Sequence, residues 1–141
     1  MATELILIDT NICLDAILTR MPFAEDALKI IELTESDAVK GKIAAHSLDT
    51  IFYILKREYN KKQIYALLKE FRNVFDIADV TQAVIDAAIA LKWPDFEDAI
   101  QYQAAKAAGC NTIITRNKKD FKHSELSVFT AREYVENFSL N

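Results

Sequence analysis

Glu4-Leu5-Ile6-Leu7-Ile8-Asp9 is the stretch on which the fold turns. An unbroken aliphatic run without alternation reads as a strand buried on both faces, as in a parallel sheet. The run ends on a carboxylate, which places an acid at the carboxyl end of that strand. Downstream, 11–19 carries Ile12, Ala16 and Ile17 on a helical stripe. Pro22 is expected to open a second helix with Ala24, Ala27, Leu28, Ile31 and Leu33 turned inward. Glu35-Ser36-Asp37 and Gly41 form a polar connection to a short strand over 42–45.

Two further helical stretches follow. Leu48, Ile51, Phe52 and Leu55 share one face, and Ile64, Leu67, Leu68 and Phe71 resume it after a polar break at 59–62. Residues 74–78 read as a candidate third strand. Thr81 reads as the N-cap of a helix carrying Ala83, Val84, Ala87, Ala88 and Leu91. Trp93-Pro94 ends that helix and Asp95 starts the next, which stops at Gly109, a left-handed cap. Strands at 111–115 and 126–129 flank a basic loop at 117–124, and 131–138 is a terminal helix. Short strands alternating with helices predict a three-layer α/β/α fold with a parallel central sheet of about five strands. No repeat or linker interrupts residues 1–141, which read as a single domain.

Composition agrees with this picture. The chain has 141 residues, 51% of them hydrophobic, with only two glycines and two prolines. That excludes disordered, low-complexity and turn-dense all-β classes. No apolar run approaches the roughly 20 residues of a membrane span. Met1-Ala2-Thr3-Glu4 has no basic leader, and Cys13 and Cys110 sit in apolar segments without CxxC spacing. A cytoplasmic protein with reduced core cysteines is the simplest expectation, with a disulfide left open. The formal net charge of −4 argues against a general nucleic-acid coat protein but not against an enzyme that touches nucleic acid locally.

Ligands of open parallel sheets bind beyond the carboxyl ends of the strands. Asp9-Thr10-Asn11, Asp95-Phe96-Glu97-Asp98 and Thr115-Arg116-Asn117 fall there or close by. Converging carboxylate and carbonyl-type oxygens repel one another unless a hard cation lies between them, which predicts Mg²⁺ or Mn²⁺. Such an ion would activate water and neutralise a phosphodiester in an in-line displacement.

Leu7-Ile8-Asp9-Thr10-Asn11, Asp95-Phe96-Glu97-Asp98-Ala99 with Ala104-Ala105, and Ile113-Ile114-Thr115-Arg116-Asn117-Lys118-Lys119-Asp120-Phe121 together resemble the PIN-domain family. That family includes the ribonuclease toxins of VapBC toxin–antitoxin pairs, and the resemblance spans essentially the whole chain. It implies a metal-dependent endoribonuclease that leaves 5′-phosphate and 3′-hydroxyl ends. Asp9 matches the first metal-binding carboxylate and Asp98 the acid opening the helix before the fourth strand. Asn117 falls where many members carry a further Asp, and Thr115 matches a hydroxyl that helps hold water or metal. Asp120 matches a supporting Asp. The family's second acid is a Glu, but here Thr50 stands at that position with Asp49 one residue early. One residue turns a helical side chain by about 100°, so Asp49 does not simply replace it. The resemblance also implies an RNA substrate, a homodimer and an antitoxin protein as partners.

Each residue carries a plainer alternative. Asp9 and Thr10 would cap a helix, Asp95 has the spacing of an N-cap to Asp98, and Glu97 would be a solvated first-turn acid. Asn117 would be a turn former and Asp49 a surface charge. Arg116, Lys118 and Lys119 would form a solvated face or contact substrate phosphates. His46 and His123 lack zinc spacing, and Ser47 reads as a cap. The competing functions are a PIN fold that binds RNA or protein without cutting, and a dehalogenase-like phosphatase. The latter wants an Asp at position 11, which is Asn.

Overall fold

A computed structural model describes residues 4–140; Met1 to Thr3, read above for the lack of a basic leader, lie outside the described residues. β1 (Leu5–Ile8) leads through α1 (Thr10–Ile17) and α2 (Ala24–Glu35) to β2 (Lys40–Ala44). α3 (Ala45–Leu55) and α4 (Lys61–Val74) precede β3 (Asp76–Ala78). α5 (Gln82–Leu91) and α6 (Phe96–Ala107) precede β4 (Thr112–Ile114), and a 3₁₀ turn over Lys118–Phe121 leads to β5 (Ser127–Phe129) and α7 (Ala131–Leu140). The strands form one sheet in the order β3-β2-β1-β4-β5, parallel throughout.

The unbroken run at β1 is explained by two cores. Ile6 and Ile8 pack on one face with Ile43, Ile114, Leu55, Phe71 and Phe75, beneath α1–α4 and α7. Leu7 packs on the other with Ile113, Ala44, Ala78, Ala99, Ala104 and Ala105, beneath α5 and α6. The period of two sends alternate side chains to opposite layers, both of them dry. The alanines let α5 and α6 lie close to the sheet. Cys13 and Cys110 are buried and free, one in each core, so the sheet separates them and no disulfide joins them.

Several boundaries differ from the expectation. α2 begins at Ala24 rather than Pro22, because Phe23 and Ala24 N–H groups first close a turn onto the Arg20 carbonyl. The buried face of α2 is Ala24, Ala27, Ile30 and Thr34, whereas Leu28 is 46% exposed. Thr34 is tolerated there because its hydroxyl donates to the Ile30 carbonyl at 2.9 Å. Gly41 belongs to β2 rather than to the connection. A Cβ at this position would lie 2.6 Å from the Phe75 ring, so only glycine lets the strand and that ring meet. Thr81 and Asp95 both act as N-caps, accepting from the Val84 and Asp98 amides at 3.2 and 3.0 Å.

Candidate active site

The central position of β1 places Asp9 where the chain order reverses, between β2 and β4. Crevices open at such points, beyond the carboxyl ends of the strands. Asp9 is 6% exposed and ends β1, and its backbone amide donates to the Ile114 carbonyl at 2.9 Å. Its carboxylate is held by neutral donors. The Thr115 hydroxyl donates to Oδ2 at 2.7 Å and the Gln101 amide donates to Oδ1 at 2.9 Å. The Thr115 hydroxyl also accepts from the Asn117 amide at 3.1 Å, which fixes the turn after β4. Asp9 makes no side-chain cap for α1, so the capping alternative does not account for it.

The first turns of α6 bring Glu97, Asp98 and Gln101 to the same crevice, residues three and four apart sharing a helix face. Burial pushes the Asp98 carboxyl up to about 7, reinforced by Asp95, Asp9, Asp120 and Glu97, all negative neighbours. Glu97 is also raised, by burial and then by Asp9 and Asp95. Thr10 donates to Ser47 at 2.8 Å and contacts Glu97 at 3.4 Å. Ser47 is therefore fully buried and tied to α1. Asp95 spends one oxygen on the N-cap, and Asp120 lies exposed in the 3₁₀ turn facing Asp98.

α3 contributes little acid. Thr50 leans back on the His46 carbonyl at 3.4 Å, and Asp49 is exposed, bordering a surface hollow together with Thr50, Tyr53 and Lys56. His46 turns inward instead. Its ring nitrogens are buried and meet no closely aligned partner; burial lowers its proton affinity, opposed by the Glu97 backbone and the Asp9 charge nearby.

Two residues were not anticipated. Gln101 is signalled only by lying three residues after Asp98 on one helix. Asp15 is a charge inside the apolar run Ile12-Cys13-Leu14-Asp15-Ala16-Ile17, and its carboxylate is fully buried. Arg116 Nε lies 3.1 Å from Asp15 Oδ2 and an Arg20 guanidinium nitrogen 3.8 Å from Oδ1. Arg116 also lies over the Phe23 ring at 4.4 Å. Lys118 pairs with Glu133 at 3.1 Å, and Lys119 is exposed.

A sequence profile described as the PIN domain matches residues 5–119. The chain belongs to the PIN-domain family. This PIN domain is 26% identical over 144 residues to the ribonuclease VapC1 of Aquifex aeolicus, covering 99% of both chains. It superposes on VapBC2 of Rickettsia felis, solved with a promoter DNA fragment, with a TM-score of 0.69 at 22% identity. That match covers 89% of this chain and 97% of the other. A toxin–antitoxin complex from Klebsiella pneumoniae matches with a TM-score of 0.68 at 24% identity, covering 89% and 96%. The fold is thus that of a VapC-like PIN domain.

The donor chemistry of the PIN crevice fits a hard divalent cation. Among the described residues no three His, Cys, Asp or Glu side chains stand close enough to enclose a metal. Mg²⁺ does not require that, since it takes one or two carboxylates and keeps several waters. Each Asp9 oxygen, having accepted one hydrogen bond, keeps a lone pair for a cation. Among the described residues no helix is long and apolar enough to cross a membrane.

Proposed function

We propose that this chain is a Mg²⁺- or Mn²⁺-dependent endoribonuclease of VapC type, a single PIN domain acting as the toxin of a cytoplasmic toxin–antitoxin pair. One observation carries the reading: the buried Asp9 carboxylate at the carboxyl end of β1 is held by the neutral donors Thr115 and Gln101, with no cationic side chain paired to it among the described residues. An excess of hard oxygen charge at a crevice is compensated by a divalent ion. Asp9 and Asp98 would hold that ion, with Asn117 and Thr115 completing the site directly or through water. When bound, it supplies a Lewis acid that polarises the phosphodiester and acidifies an attacking water. The protein's own part is orientation. Thr115 and Gln101 aim the Asp9 carboxylate, Asp95 pins the turn that presents Asp98, and Lys119 lies free for a substrate phosphate. Lys118 joins it at small cost, since its exposed pair with Glu133 is worth only about 0–1 kcal/mol. An antitoxin protein completes the reading, supported by the Klebsiella pneumoniae relative described as a toxin–antitoxin complex, and the homodimer follows from the family resemblance alone.

Cleavage of structured RNAs in Mn²⁺ tests it. Asp9→Asn is expected to lose at least about a hundredfold in rate, because the ion's charge stabilisation is worth several kcal/mol. Equal rates for wild type and variant would overturn the metal mechanism. A second reading, a PIN fold that binds RNA or a protein without cutting, is favoured by α3, where the resemblance puts Thr50 at the family's Glu position and Asp49 is exposed. Calorimetric titration separates the two: the nuclease binds Mn²⁺ at millimolar or better, and the binding module does not.

A further inference from the structure

A second cavity opens beside the carboxylate crevice, at the carboxyl ends of β4 and β5. It measures about 220 Å³ and is bordered by Asp15, Phe23, Asp26, Arg116, Thr130 and Arg132. Pockets for drug-sized ligands run to roughly 300–1,000 Å³, so this one has the size for a single ring system. It adjoins the crevice through the chain itself: Arg116 borders it, and the preceding residue, Thr115, donates to Asp9 at 2.7 Å.

Its chemistry is unlike that of a phosphate site. Two carboxylates and two guanidinium groups leave the lining formally neutral, whereas a phosphate pocket carries excess positive charge. Carboxylates only accept and guanidinium groups only donate, so the wall offers both halves of a hydrogen-bonding edge. Asp15 lies at the base of the cavity, fully buried and ion-paired with Arg116 and Arg20, and so holds the Arg116 guanidinium in place. One wall pairs an aromatic ring with a cation, the Arg116 Cζ lying over the Phe23 ring 4.4 Å from its centre and that phenylalanine 40% exposed. Unpaired bases stack on aromatic rings and on guanidinium planes alike.

We propose that this cavity is a subsite for one unpaired nucleobase of the RNA, next to the phosphate addressed by Asp9 and Asp98. The base stacks on the Phe23–Arg116 wall and presents its polar edge to Asp26 and Arg132. The subsite deepens the ribonuclease reading and supplies a recognition element independent of the metal.

Binding is measured in EDTA by fluorescence anisotropy, using a short single-stranded RNA and a series in which one position at a time is abasic. In wild type, one abasic position is expected to weaken binding about tenfold, the scale of one base–aromatic stack. Phe23→Ala, at an exposed position, is expected to weaken the intact RNA equally, and the abasic penalty then disappears. Arg132→Ala, 77% exposed in its side chain, gives a smaller loss of the same non-additive kind. An abasic penalty that persists in Phe23→Ala, or no RNA binding by wild type, overturns the subsite. So does a variant that binds RNA normally while losing a protein partner. Cleavage in Mn²⁺ reports separately. A base-dependent, Phe23-dependent affinity without cleavage sinks the nuclease reading and leaves the subsite standing. Cleavage with Phe23-independent affinity does the reverse.

Discussion

Asp9 and Asp15 are carboxylates six residues apart on one β–α unit, both almost without solvent, and they are treated in opposite ways. Asp15 is met by Arg116 and Arg20, whose charges oppose the rise that burial imposes on its carboxyl. Asp9 is met by a hydroxyl and an amide, which orient it without cancelling its charge. Neutral donors leave a buried anion in want of a cation, whereas guanidinium partners have already supplied one. The first arrangement suits a ligand site and the second a strut. Arg116 connects them, since it is flanked by Thr115 and Asn117 and anchors their turn to α1.

The sharpest way to break this contrast is to remove the strut. Arg116→Met is expected to destabilise the fold by about 3 kcal/mol, the lower part of the range for orphaning one partner of a buried pair, because Arg20 remains. Asp9→Asn should shift stability by less than about 1 kcal/mol, since an amide still pairs with Thr115 and Gln101. Urea unfolding of both variants checks the difference, and equal losses would erase the distinction. Asp98 gives a smaller effect. Its folded value of about 7 lies above that of the unfolded chain, so its contribution to stability is full at acid pH and lost as pH rises through 7. Metal-free protein should therefore be less stable at pH 8 than at pH 6. Asp98→Asn should remove less than about 1 kcal/mol of that difference, since one proton is worth at most about 1.4 kcal/mol over this range and solvent screening of a half-buried group lowers it. A slope that survives the substitution assigns it elsewhere. Asp49→Ala is the smallest: its exposed position on α3 predicts cleavage within about twofold of wild type and stability within about 0.5 kcal/mol.

The layer architecture was legible because its signals are local. An aliphatic run at β1, cap residues at Thr81 and Asp95, and Gly109 with φ +81 each announce an element without reference to distant chain. The register of α2 was not, because Leu28 borders an open groove with Ile17, Leu67 and Phe71 rather than the core. Periodicity alone does not tell a groove from an interior. The same limit separates the two carboxylates. Asp9 stands at the end of a strand, where position itself carries meaning. Asp15 looks like a defect in an apolar helix until Arg116, 101 positions later, is seen against it. Gln101 was missed for a related reason: an amide has no charge to attract notice, and its part is defined only by the carboxylate it meets.

The bond from Thr115 to Asp9 joins positions 106 residues apart. Synthesis at about 5–20 residues per second puts roughly 5–20 s between their appearance. During that interval the growing chain holds a strand and an acid but no crevice, because β4, which borders β1, is not yet made. For a protein whose proposed activity would attack the cell's own RNA, a delay of this kind is protective: the site comes into being only once Thr115 has been made, and a product cut short before it lacks the site.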